Sequence, residues 1–398
     1  MVDMMKAVKL FLDWAPREGY QPGLREVKGS RAQEGNKFWR NPQVQIVQQS
    51  IPETGPTDVL IKVKACAICG SDVLMAGSDE AGYTRYGYLM SNGVTIGHEF
   101  SGEIVAMGEG VAELQRKTGK EIFRIGTPVT AQCVVNCGLC EKCKEGEFDE
   151  CWLTEERGFS IDGAMAEYVV ANLRHIYSLD ELRQQYQEEE LFLAGALIEP
   201  LAGVYKALVD IAGGLNPGDS AVVIGGGAIG LSGIALLKAI GASTVILCEF
   251  SSQRREIGIA LGADYAFDPR EENFTEVILR LTKGVGAKVY FEAAGVAATV
   301  YPDIDYLFKV GEAGSKLVLM GHGEEYATVR TETLIGKYNI IVGSHGHSGV
   351  WRNVIKMVAA GLIDPQKMIT RKITLDEAPQ WLTTLRTNKE EGKVMIVF

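Results

Sequence analysis

The feature that most restricts this chain is a run of four cysteines, Cys137-x2-Cys140-x2-Cys143-x7-Cys151. Thiols at that spacing can close on one ion, and the stretch is therefore expected to fold as a lobe around a metal. Four thiolates with no other ligand describe a closed tetrahedral zinc site, which contributes folding energy and leaves no position for a substrate. The same spacing admits an iron–sulfur cluster or free buried cysteines, and by itself it names no reaction. Eight cysteines among 398 residues are too many to ignore and too few for a disulfide scaffold. The opening MVDMMKAVKLFLDW is too short and interrupted for a signal h-region, and no run of about 18 apolar residues follows. A cytoplasmic setting is expected, where thiols serve metals or catalysis rather than cross-links.

A chain of this length predicts two or three domains. With 46% hydrophobic and 23% charged residues it has the means to bury a core and no signature of disorder. Asp plus Glu outnumber Lys plus Arg by 51 to 40, for a net charge of −11. That field repels nucleic acid and anionic membranes, so neither is an expected partner.

The first half reads as short alternating strands at Val59–Lys64, Gly102–Ala106, Val129–Ala131 and Ala166–Val170, separated by Gly, Pro and Asp. From Leu191 the pattern changes to a helix through Asp210, with Pro200 inside it, and a turn at Leu215–Asp219. Strand and helix then alternate: Ala221–Ile224, Ala228–Ile240, Thr244–Phe250, Arg254–Leu261, then strands at Lys288–Glu292 and Lys316–Met320. This is the pattern of an α/β domain with a doubly wound parallel sheet. The expected division is residues 1–200 with 343–398 as one domain, whose last strand is Lys393–Phe398, and residues 201–342 as the other. Trp14–Pro42 reads as a long surface excursion, and Gln184–Glu190 as a solvated acidic patch.

Two further constellations carry chemistry. Cys69-Gly70-Ser71-Asp72, Gly97-His98-Glu99 and the distant Glu199-Pro200 together supply a thiolate, an imidazole and carboxylates. Such a mixed set can hold zinc and leave one exchangeable position. A Cys66–Cys69 redox pair is the rival reading, and it lacks the helix-start context of such motifs. The other constellation is Gly225-Gly226-Gly227-Ala228-Ile229-Gly230, placed between a strand and a helix, with the acid Glu249 closing the next strand. Backbone N–H groups at such a helix start hold a pyrophosphate. Glu249 favours the free ribose of NAD over the 2′-phosphate of NADP, while Arg254 and Arg255 keep NADP open.

Taken in order, CGSD, GHEFSGEIVAMG, the four-cysteine lobe, the GAxAEYV stretch, the EP pair and GGGAIG resemble the zinc-containing medium-chain alcohol and polyol dehydrogenases. Gly97–Gly108 fits that family's G-H-E-x2-G-x5-G signature at every fixed position. KFWRNP, LFLAGALIEP and IVGSHGHSG are most similar to the sorbitol, threonine and inositol-ketone branch. The resemblance implies a GroES-like β-rich catalytic domain beside a Rossmann domain, two zinc ions per chain, NAD, and a homodimer or homotetramer. It implies Cys69 and His98 as catalytic zinc ligands, Glu99 as a third, exchangeable one, and Glu199 bound directly or through water. Asp72 would orient His98, and Ser71 would take the substrate's proton. Gly225, Gly227, Ala228, Ile229 and Gly230 would lie under the pyrophosphate, with Glu249 and Arg254 at the adenosine ribose. The implied reaction is oxidation of a secondary alcohol on a polyol or cyclitol, with hydride passing to a nicotinamide held between the domains.

One departure stands out: the branch usually continues CGSDVH, whose histidine can relay a proton, whereas Leu74 stands here. His345 and His347 are placed by the sequence in the segment returning to the catalytic domain, as candidates for that relay or for substrate contact. His175 and His322 read as structural, and Cys66, Cys133 and Cys248 as small buried apolar residues. Rival readings are a zinc-free reductase on the same scaffold and a non-catalytic nucleotide-binding redox sensor.

Overall fold

In Asp58–Ala67 alternate side chains, Val59, Ile61, Val63 and Ala65, are fully buried while Lys62 faces solvent. That period of two makes the segment a strand with one face on a core. The computed structural model describes residues 3–119, 123–295, 304–321 and 328–398. Asp58–Ala67 lies inside a seven-stranded sheet, pairing antiparallel with Glu99–Met107 and Lys393–Val397, while Tyr168–Asn172 pairs with it as well. Pro128–Ala131 and Ile176–Ser178 extend the sheet beyond Glu99–Met107. Phe100, Ile104, Val129, Met165 and Ile396 fill the core behind it.

In the second unit Ser220–Ile224 is buried almost throughout, as a strand covered on both faces must be. Six parallel strands run in the order Tyr265–Phe267, Thr244–Cys248, Ser220–Ile224, Ala287–Glu292, Gly311–Leu319, Ile340–Gly343. Numbered within the unit this is 3-2-1-4-5-6, the order of a dinucleotide-binding sheet, with its switch point between Ser220–Ile224 and Ala287–Glu292.

The chain divides into Met1–Glu199 with Arg371–Lys389 and Lys393–Phe398, and Pro200–Thr370 with Glu390–Gly392. The return to the first unit thus falls at Arg371, not at 343 as the sequence suggests. The reason is packing after the last parallel strand. Asn353 donates to Tyr205 Oη at 3.3 Å, Ser232 Oγ meets Met368 Sδ at 3.6 Å, and Lys367 donates to the Ala260 carbonyl at 3.2 Å. His345 and His347 consequently belong to the second unit, and His322 lies outside the described residues.

The expected surface excursion is also corrected in part. Residues 18–30 are largely exposed, but Ala32, Phe38 and Trp39 are buried in the core of the first unit. Trp14 stacks on Phe38 with centroids 5.2 Å apart and meets Trp39 edge-on at 5.0 Å, so aromatic packing pins the segment at its far end. The helix expected at Leu191–Asp210 begins at Glu188 and runs as Glu188–Ala196, Ile198–Tyr205 and a π-helical turn to Ile211. Pro200 sits in the first turn of its second part, where a missing N–H is tolerated. Glu188–Ile211 is long and apolar enough to cross a bilayer, but 72% of its apolar window is buried inside the protein.

Candidate functional site

The four cysteines of the lobe converge. Cys140 Sγ lies 3.6 Å from Cys143 Sγ and 3.9 Å from Cys151 Sγ, and Cys137 Sγ lies 4.0 Å from Cys143 Sγ. Four sulfurs each about 2.3 Å from one zinc would stand roughly 3.8 Å apart at the corners of a tetrahedron. A disulfide would bring two of them to about 2.05 Å, and all eight cysteines are free. Backbone N–H groups of Leu139 and Cys140 point at Cys137 Sγ, both at 3.3 Å, and that of Cys137 at Cys151 Sγ, also 3.3 Å. Hydrogen bonds from backbone donors favour thiolate, and Cys140, facing the Cys143 N–H, is brought down to about 6. The donor set fits a closed zinc site.

A second cluster forms where the sheet's Glu99 strand begins. Ligand atoms of Cys69, His98 and Glu99 all lie within 4.8 Å of one another. Cys69 is the N-cap of the helix Gly70–Ala76, and Asp72 closes a capping box by accepting the Cys69 N–H at 2.8 Å. The other Asp72 oxygen faces His98 Nδ1 at 3.7 Å, so the opposite ring nitrogen of His98 is the one that could meet a metal. Burial opposes a charge on His98, yet the Cys69 sulfur, Asp72 and Glu199 outweigh it and hold the imidazole well above its usual value. That strongly negative surrounding is the electrostatic counterpart of a cation site. Ser71 Oγ, two residues from Cys69, is buried with no hydrogen-bond partner among the described residues. An orphaned hydroxyl beside a potential metal site fits a group that binds a substrate oxygen.

Glu199 does not join the Cys69–His98–Glu99 group; its carboxylate comes within 4.8 Å of the Cys133 sulfur. Cys66, Cys133 and Cys248 are buried, and burial raises each thiol well above its usual value. His175 is buried with neither ring nitrogen partnered among the described residues, and burial, aided by Arg174 and Arg157, holds it down to about 4. His347 is buried and accepts from Trp351 Nε1 at 3.1 Å, while His345 is exposed. Leu74 packs against the core of the first unit.

Two neighbours of the cluster escape a sequence reading. Phe159 packs its ring 4.7 Å from that of His98 and stacks on Tyr86 at 5.1 Å. Lys393, 2% exposed, donates to both carboxylate oxygens of Glu99, that to Oε1 being 2.5 Å, and to the Ile68 carbonyl at 3.2 Å. Its only sequence signal is a lysine opening an otherwise apolar strand.

In the second unit the glycine loop sits at the end of Ser220–Ile224 and starts the helix Ala228–Ala239. Gly225 has φ +94°, a left-handed turn that L side chains resist, and it accepts no change in backbone. A Cβ on Gly230 would strike the Gly225 carbonyl, whereas one on Gly227 would meet nothing within 4 Å. Thus Gly230 lets helix and strand approach, and the space beside Gly227 stays open at a helix N-terminus. Glu249 accepts from Gly226 N at 2.5 Å and Ser251 N at 2.7 Å. Arg254 donates its Nε to the Glu391 carbonyl at 3.0 Å, and Arg255 donates to the Glu249 and Phe250 carbonyls.

A thiolate–imidazole–carboxylate cluster on a β-rich unit, joined in one chain to a 3-2-1-4-5-6 sheet, defines a class, and comparison with known proteins agrees. Residues 55–181 match the alcohol dehydrogenase GroES-like domain and residues 228–360 the zinc-binding dehydrogenase domain. The chain belongs to the zinc-binding dehydrogenase family and is an oxidoreductase of its polyol and alcohol dehydrogenase members. It is 40% identical to a scyllo-inosose 3-dehydrogenase of Thermotoga maritima, over 99% of this chain and all of the relative. It is 32% identical to a sorbitol dehydrogenase of Halalkalibacterium halodurans, over 82% of this chain and 88% of the relative. A solved structure from Thermotoga maritima superposes with TM-score 0.93 at 40% identity, covering 99% of this chain and 100% of the other. One from Sinorhizobium meliloti, bound to NADP, does so with TM-score 0.78 at 28% identity over all of both chains.

Proposed function

We propose that the protein oxidises a secondary alcohol of a polyol or cyclitol, scyllo-inosose or a related inositol ketone foremost, and passes the hydride to NAD. The observation that carries this is the convergence of Cys69, His98 and Glu99 beside the unpartnered hydroxyl of Ser71. Cys69 and His98 would hold the catalytic zinc with Glu99 as a third, exchangeable ligand, Glu199 would act on it directly or through water, and Cys137, Cys140, Cys143 and Cys151 would hold the structural one. When bound, zinc supplies Lewis acidity toward the alcohol oxygen and the nicotinamide supplies the hydride acceptor.

The chain's own residues do the rest. Asp72, fixed as a helix cap, orients His98. Ser71 Oγ would accept the proton of the alcohol hydroxyl and release its own to water, since Leu74 cannot carry it onward. Gly227, Ala228, Ile229 and Gly230 seat the pyrophosphate, and Glu249, held by two backbone N–H groups, presents its carboxylate to the ribose hydroxyls. That acid favours NAD, with Arg254 the group through which NADP could be accommodated.

A cytoplasmic homodimer or homotetramer is the assembly we infer from family membership, and sizing by light scattering tests it. The decisive experiment is an NAD-coupled screen of inositols, inososes, sorbitol, threonine and simple alcohols on zinc-replete protein. Reduction of NAD with a cyclitol ahead of the others is expected; no reduction with any polyol or amino alcohol would return the protein to a nucleotide-binding role.

A further inference from the structure

Arg157 is a buried cation whose partners are incomplete. It follows the Cys137–Cys151 lobe and is 4% exposed. Its Nη1 donates to the Asp162 and Val170 carbonyls at 3.3 and 2.8 Å, whereas Nε and Nη2 meet no acceptor among the described residues. No carboxylate among them pairs with it; the Asp162 side chain accepts the Thr95 N–H at 2.7 Å and faces Lys9 Nζ at 3.7 Å instead. Burial brings the guanidinium down to about 10, so it still carries its charge at neutral pH, and a buried charge left unpaired is strongly unfavourable. Arg157 also lines a cleft of about 140 Å³ in the first unit, where Met5, Pro52, Ile161 and Tyr168 supply a largely apolar wall. Thr95 lines the same cleft, and its Oγ1 is buried with no partner among the described residues. Cys69, Ser71, His98 and Glu99 take no part in it.

We infer that this cleft is a binding site for a small monocarboxylate, held by the Nε–Nη2 edge of Arg157 and the hydroxyl of Thr95. The two nitrogens of that edge lie on one side of a planar group, and their N–H bonds run parallel, as the two oxygens of a carboxylate require. A halide meets such a fork with one atom only. The alkyl part of a short-chain acid would rest on Met5, Pro52 and Ile161. The cleft is several times the roughly 30 Å³ share of one water, enough for such an acid and far too small for a nucleotide. Both donors are fixed in advance: Arg157 by the two carbonyls on Nη1, and Thr95 by the bond from its backbone N–H to Asp162. Little ordering is therefore left for the ligand to bring about. The net charge of −11 works against unspecific uptake of anions, so saturable binding of one needs a built site.

The test is thermal unfolding of the zinc-replete protein in sodium acetate or sodium chloride at constant pH and ionic strength, with calorimetric titration of acetate for affinity. Acetate should raise the melting temperature along a saturating curve, and chloride should not. Arg157→Lys keeps the charge without the fork and should weaken acetate by about tenfold or more, the loss of one charge-assisted hydrogen bond. Thr95→Val should weaken acetate to a similar extent. Without acetate, Thr95→Val should melt no earlier than the parent, because the hydroxyl it removes has no protein partner. Carboxylates also bind open zinc sites, and Cys69→Ser separates the two: its acetate response should match the parent's. The inference is overturned by the absence of a saturating acetate response, by equal responses to acetate and chloride, or by a response that disappears in Cys69→Ser. Unchanged acetate affinity in either Arg157→Lys or Thr95→Val overturns it as well. The Thr95→Val arm stands even where Arg157→Lys fails to fold.

Discussion

Two glycines in the same loop should respond to the same methyl group in opposite ways. In Gly230→Ala the new Cβ would stand 2.9 Å from the Gly225 carbonyl carbon and closer still to its oxygen, with Val223 Cγ1 at 3.3 Å. Contact between carbon atoms needs about 3.5 Å or more, so the helix start must move at least roughly 0.6 Å off the strand. Overpacking of this kind costs about 1–3 kcal/mol, and here two of the obstacles are backbone. In Gly227→Ala the Cβ meets nothing within 4 Å and the residue has φ −70°, which alanine adopts freely. Stability should change by less than about 0.5–1 kcal/mol. The methyl nevertheless occupies the space assigned to the pyrophosphate. Displacing a phosphate oxygen from one backbone N–H loses a charge-assisted hydrogen bond, about 1.5–3 kcal/mol, or roughly 10- to 100-fold in affinity. Thermal unfolding and NADH fluorescence titration separate the effects. Gly230→Ala should melt earlier; Gly227→Ala should melt with the parent and bind NADH at least about tenfold more weakly. Unchanged NADH affinity in Gly227→Ala refutes the placement of the pyrophosphate over that residue.

Other consequences can be checked alongside. Cys69→Ser should lower zinc from two per chain to one by elemental analysis and abolish turnover, while the Cys137 lobe keeps its ion; retained activity after loss of the Cys69-site zinc would defeat the proposed mechanism. Ser71→Ala should cut kcat by about 10²–10⁴-fold, as loss of a proton-transfer group does, with zinc content unchanged. His175 is held down to about 4 in the folded protein against 6.5 in the open chain, so the unfolded state binds the extra proton first. Stability is then full above pH 6.5 and falls as pH drops from 6.5 toward 4, by at most about 3 kcal/mol. In denaturant titrations at several pH values, His175→Phe should flatten that slope; an unchanged slope would show that another group carries it. Cys143→Ser should unfold the lobe at lower temperature and expose it to protease, because a site of this kind needs all four thiolates.

Much of this molecule can be read locally in its sequence, and the readable parts share a cause. Strands such as Ser220–Ile224 and the Cys137–Cys151 lobe are set by residues close in the chain, so spacing and periodicity report them. The trio of Cys69, His98 and Glu99 is legible because two of its members are adjacent and the third caps a helix that its own sequence motif builds. What periodicity cannot report is a partner brought in from far away. Lys393 reads as one charged residue at the head of a strand, and only the sheet shows it meeting Glu99, 393 − 99 = 294 residues earlier. Phe159 reads as a core aromatic, and its contact with His98 depends on how the chain returns after the lobe. The return point itself is misplaced by sequence because strand alternation stops at Gly343, while Met368 and Lys367 are held by packing on Ser232 and Ala260, which no local pattern signals.

The pairing of Met395 with Ala67, 395 − 67 = 328 positions apart, sets an order of events during synthesis. When Asp58–Ala67 leaves the ribosome, Glu99–Met107 soon follows to cover one side and Tyr168–Asn172 later covers Asp58–Lys62 on the other, but the Ala65–Ala67 end of that second side stays an open edge until the last strand is made. The sheet of the second unit, by contrast, draws all its strands from one continuous stretch, Pro200–Thr370, and can close first. A nascent chain therefore carries a finished dinucleotide-binding unit beside an unfinished catalytic one, and unpaired edges of that kind invite wrong partners. A chain arrested at Thr370 should yield a protease-resistant fragment of the second unit and a digestible first unit. Since Lys393 arrives on the same closing strand, the ion pair at Glu99 is completed in the same step as the sheet, among the last contacts the protein makes.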